Sequence, residues 1–137
     1  MWWIYALLSA LFAALTAIFA KVGIKGVDTD LATGIRTVVI LILAWGIAFF
    51  RGGAATFHTL TKQNIIFLVL SGIATGLSWI FYFKALQLGK VSQVAPVDKM
   101  SVAIAIILAV VFLGEPLTVK TAVGALLIIG GTLVLIF

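Results

Sequence analysis

Asp98 and Lys99, two ionisable residues of opposite sign, follow Pro96 closely in a stretch that runs on apolar through Ile104, Ile106, Ile107, Leu108 and Phe112. Within hydrocarbon a charged side chain costs at least about 2.5–3.5 kcal/mol, so such residues turn to a bundle interior, a partner or a wet path. Asp98 is a carboxylate able to load and release a proton inside a span, which suits proton-coupled exchange. Pro96 cannot donate to the carbonyl of Ser92 and crowds it, which predicts a kink. An interrupted helix beside charges is the pattern of a transporter's binding site. Neighbouring helical residues point about 100° apart, so Asp98 and Lys99 are expected to find separate partners. Lys84 or Arg36 would serve Asp98, and the long stem of Lys99 can snorkel to the near interface. Ser92 and Gln93 are placed to offer polar groups to the freed carbonyl.

Further candidates lie in the second and third apolar runs. Arg36 stands about two turns into its run, where it either snorkels to the surface or turns inward to an anion. Trp79, Tyr82 and Phe83 share a helix face at spacings of three and four. Trp79 needs an acceptor for its indole N–H in a core or a cavity, which makes it a substrate-contact candidate. Tyr82 fits a site or an interfacial belt, as do Trp2, Trp3 and Tyr5. Lys84 reads as a positive anchor at a helix end, and Glu115 as a carboxylate satisfying the first amides of the last helix. Gly72-Ile73-Ala74-Thr75-Gly76 and the alanines at 6, 10, 13, 14 and 17 permit close helix contact, within a subunit or across a dimer.

Five apolar runs must position these residues, at about 3–24, 31–50, 65–86, 91–113 and 118–136. Each meets the length of about 20 residues needed to cross a bilayer. Gly89 and Gly114 suit the left-handed residue that closes a helix, with Pro116 opening the next, and Asp30 and Asn64 are expected N-caps. The longest connection, from Arg51 to Lys62, holds His58 and can lie along the interface. No alternation of period two competes, so the fold class is all-α, a polytopic membrane protein in a single domain.

Composition closes off other classes. With 64% hydrophobic and 9% charged residues and a mean hydropathy of +1.34, the chain has no polar surface to show to water. It has no cysteine, which removes disulfides and thiol chemistry. A charge of +5 on so apolar a chain speaks of topology, and no basic stripe with interleaved aromatics supports nucleic-acid binding. The N-terminal run has no basic lead and no small-x-small cleavage site, so it is expected to be a retained first helix. There is no Gly-x-x-x-x-Gly-Lys loop and no Gly-x-Ser-x-Gly, and a lone histidine assembles no metal site. No cofactor and no enzymatic activity are expected.

An odd number of spans places the termini on opposite sides of the membrane. Arg51, Lys62 and Lys120 lie on one side, against Lys25 and Lys90 on the other, joined by Lys21, Lys84 and Arg36 when helix ends are counted. So weak a bias allows insertion both ways, and two opposed copies form the inverted pair on which alternating access is built.

The run from Ala85 to Pro96, then Leu113-Gly114-Glu115-Pro116-Leu117-Thr118 and Gly124 through Gly131, resembles an EamA-type domain of the drug/metabolite transporter superfamily. Most members resemble two such domains fused, the second inverted. This chain resembles the short single-domain members, so its helices would make one half of an inverted-repeat bundle. The resemblance implies secondary transport of small metabolites without ATP, by an antiparallel homodimer in the inner or plasma membrane. Asp98, Lys99, Pro96, Gln93, Trp79, Arg36 and Tyr82 are the site residues expected on the path of a small, amino-acid-like substrate, zwitterionic or anionic. A non-transporting or heteromeric membrane subunit, or a lipid flippase, is the alternative.

Overall fold

The computed structural model describes residues 1–137. Five helices, α1 (Trp2–Gly23), α2 (Thr29–Phe50), α3 (Lys62–Leu88), α4 (Val91–Leu113) and α5 (Val119–Ile136), carry the chain, and a 3-10 helix, Gly53–Thr59, fills the connection between α2 and α3. There is no strand. All five helices are long and apolar enough to cross a membrane. At 27 residues α3 is the longest; its length of about 40 Å exceeds a hydrocarbon core of about 30 Å.

The helix ends show local chemistry that differs from the sequence expectations. Asp28, not Asp30, caps α2: its carboxylate accepts from the amides of Asp30 and Leu31, both at 3.0 Å. Ahead of α3 the hydroxyl of Thr61 accepts from the amide of Asn64 at 3.2 Å, so the polar residues 62–64 form the first turn. The amides at the start of α5 are served by Thr118, which accepts from Thr121, rather than by Glu115, and Pro116 lies in the loop before it. Gly114 has the positive φ of a helix-closing residue at 68°; Gly89 is not among the positive-φ glycines. A short polar side chain one residue outside the helix reaches the orphan amides, whereas a residue already inside the first turn cannot curl back as well.

The chain divides into two compact units. One comprises Met1–Phe19 and Leu88–Phe137. Its α4 and α5 are the helices that pack closely, with Ala103 and Thr132 buried. Ala103 is the buried position of α4, and Val91, Val94, Ala95, Pro96, Asp98, Met100, Ile106, Ala109 and Val110 are partly covered; the run Met100, Ala103, Ile106 and Val110 recurs at three and four residues along one face. The Thr132 hydroxyl donates within α5 to the carbonyl of Ile128 at 2.8 Å and also lies 3.2 Å from the carbonyl of Pro96.

The other unit is Ala20–Gln87. Its buried residues, Ala20, Ile24, Thr29, Thr33, Phe83 and Leu86, gather where α1 ends, α2 begins and α3 ends. The ammonium of Lys21 donates to the carbonyl of Leu86, and the side-chain Nε2 of Gln87 donates to the carbonyl of Val27 at 3.0 Å. A cation over the last turn of α3 also meets the negative end of its dipole. Elsewhere large apolar side chains such as Ile42, Phe67 and Phe81 are exposed, which in a bilayer is the lipid-facing condition.

Candidate substrate site

In the unit of α2 and α3, Arg36 is turned inward along the helix pair. Its guanidinium lies over the ring of Phe83 at 4.4 Å and the ring of Trp79 at 5.2 Å. Trp79 and Phe83 are four apart on α3, one turn above the other, so their rings offer a continuous aromatic surface. Phe83 is fully buried, which fixes that surface in place. Tyr82 is within electrostatic reach of Arg36, and its ring lies 5.9 Å from that of Phe83. Each cation–π contact contributes about 0.5–2 kcal/mol. Two of them approach the cost of about 2.5–3.5 kcal/mol of holding an arginine at membrane depth.

Trp79 also belongs to a cleft of about 430 Å³ between α2 and α3. Thr37, Ile40, Ala44 and Trp45 line it from α2, and Leu68, Ser71, Gly72, Thr75 and Gly76 from α3. The hydroxyls of Thr37 and Thr75 donate to carbonyls of their own helices, Thr33 and Ser71, at 2.8 Å. The wall is mostly apolar. Gly72 and Gly76 make no close helix contact: a Cβ added at either meets nothing within 4 Å. Within this chain their missing side chains leave room for the cleft.

The other expected residues belong to the unit of α4 and α5. Asp98 and Lys99 pair with each other, Nζ to Oδ2 at 3.2 Å, in place of the separate partners expected from their helix positions. The Cβ directions do diverge, but the flexible four-carbon stem of lysine carries its ammonium back across that angle. Side-chain exposure is 57% for Lys99 and 33% for Asp98, so the pair lies on the surface of its unit. Helix α4 runs through Pro96 as one uninterrupted element. Pro96 is only the sixth residue of the helix, and the carbonyl it deprives belongs to exposed Ser92, so the loss falls in the outer turns. Gln93 is exposed one residue further on.

The structure thus joins Arg36, Trp79 and Tyr82 in one unit, and Pro96, Asp98 and Lys99 in the other. Sequence reasoning passed over Phe83 as a partner of Arg36, although its spacing of four from Trp79 was the signal. It also passed over Thr37, Ser71 and Thr75, whose small hydroxyl side chains recur on facing helices, and Thr132, a lone polar residue deep in α5. No three His, Cys, Asp or Glu residues come together.

Over residues 1–137 the chain matches the EamA-like transporter family. The chain belongs to this family. A Sinorhizobium sp. protein described as "Uncharacterized transporter in cobO 3'region" is 47% identical over 134 residues, covering 98% of this chain and 95% of that protein. No solved structure matches the chain. With five apolar helices of spanning length, this EamA-family protein is a multi-pass membrane transporter.

Proposed function

We propose that this EamA-family chain is a secondary transporter of a small zwitterionic or anionic metabolite in the cell membrane, working by alternating access as a pair of oppositely oriented copies. The observation that carries the reading is Arg36. It is a cation inside a span, positioned by Trp79 and Phe83 at a cleft, and the one side-chain ion pair of the structure lies elsewhere, between Asp98 and Lys99. An arginine held at membrane depth without a carboxylate of its own is suited to an incoming anion. The odd number of spans and the weak lysine and arginine bias support opposed insertion.

In this scheme Trp79 and Tyr82 contact substrate beside Arg36. Asp98, the one carboxylate beyond the first turn of any helix, carries the coupled proton, with Lys99, Pro96 and Gln93 around it. The test joins two measurements: tags on both termini probed in intact cells, and counterflow of labelled amino acids and organic anions in proteoliposomes. A substantial fraction of chains in each orientation, with counterflow, is the expected result. A single orientation in every copy rules out the inverted pair and favours a heteromeric subunit, and the absence of counterflow rules out transport by this chain alone.

A further inference from the structure

We infer that the cleft between α2 and α3 takes an amphiphilic monoanion, its carboxylate on Arg36 and its apolar body lying along the cleft toward Trp45 and Leu68. The inference rests on the transport reading and narrows its substrate class. The guanidinium carbon of Arg36 lies over the rings of Phe83 and Trp79, and the planar fork of N–H donors that a guanidinium carries matches a carboxylate in bidentate fashion. The carboxylates of the same unit are Asp28 and Asp30; Asp28 is committed to capping α2, and neither forms an ion pair.

Trp79 contacts the arginine and also lines the cleft; Arg36 is not itself a lining residue, so the proposed ligand reaches from the cleft past Trp79 to the charge. From Thr37 to Trp45 the helix rises about 12 Å, long enough for an aryl or short alkyl chain. The volume of about 430 Å³ falls in the usual range of ligand pockets, about 300–1,000 Å³. No acidic residue lines the cleft, and the hydroxyls of Thr37 and Thr75 already donate to backbone carbonyls. An ammonium group would therefore enter without a counter-charge, in surroundings where an unpaired charge is heavily penalised. The site selects anion over zwitterion and cation.

Three probes with the same phenyl body separate these charges: 4-phenylbutyrate, homophenylalanine and 4-phenylbutylamine. Binding is measured by calorimetry on the full chain in phosphatidylcholine nanodiscs, where no gradient or turnover is needed. Phenylbutyrate is expected to bind at least tenfold more tightly than either of the others. Arg36→Gln should remove that preference, and Gly76→Leu should weaken phenylbutyrate at least tenfold while the arginine is intact. Equal binding of the three probes, or a preference unchanged in Arg36→Gln, overturns the inference even if counterflow succeeds. Loss of phenylbutyrate binding when phosphatidylglycerol replaces phosphatidylcholine would make the cleft a lipid site and also overturns it. Selective phenylbutyrate binding without counterflow leaves the site standing and removes the transport reading.

Discussion

Arg36 on α2 and the Asp98–Lys99 pair on α4 present the same problem, charge inside an apolar span, and the fold answers it in two ways. On α4 the two charges neutralise each other at 3.2 Å on the surface of their unit. On α2 the charge has no carboxylate partner and rests on two aromatic rings, one of them fully buried. An ion pair offsets the charge of both members, whereas a guanidinium resting on rings keeps its net charge and its donors. A charge left incomplete, held by apolar surroundings, is the better candidate for substrate recognition. The self-paired charges suit a coupling step in which one member changes protonation.

The sharpest break in this comparison is Phe83→Ala. It empties a fully buried position and should destabilise the unit of α2 and α3 by about 3–5 kcal/mol, read as a lower midpoint in detergent unfolding. Next comes Arg36→Lys, which keeps the charge but loses the planar stack. Substrate uptake should fall about tenfold, equivalent to about 1.4 kcal/mol, with a stability change much smaller than that of Phe83→Ala. Thr132→Val removes a buried hydroxyl that reaches the carbonyls of Ile128 and Pro96 and should cost about 1 kcal/mol in the same unfolding assay. The smallest structural effect belongs to Asp98→Asn, which keeps the shape of a side chain on the surface of its unit and leaves Lys99 a long stem to reach the interface, so folding in detergent should hardly change. Its effect should instead be on coupling, with loss of uptake driven by a pH gradient in proteoliposomes; unchanged pH dependence would exclude Asp98 from that role.

The fold was legible in the sequence to within a few residues at each helix end, because spanning length is imposed by the bilayer and each run had to reach it. The misplaced ends were those where two capping residues competed over a few positions, as Asp28 and Asp30 did. The site was legible in part. Arg36, Trp79 and Tyr82 could be singled out by residue type and face. Phe83 was passed over as their partner because type alone does not distinguish a core ring from one that supports a cation. The Asp98–Lys99 pairing was missed because helical geometry governs where a side chain leaves the backbone, not where four flexible bonds carry its end.

By itself the sequence determined five apolar helices, their order, the membrane as solvent and the family, all of which follow from local composition and short motifs. The tertiary structure alone decided which charge is satisfied by its neighbour and which is left open. Arg36 meets Phe83 and Trp79 only when α2 and α3 come together at that level, and the cleft beside them is lined by both helices, Gly72 and Gly76 among its residues. Such encounters between residues far apart in the chain depend on how helices pack, and hydrophobic length carries no information about that.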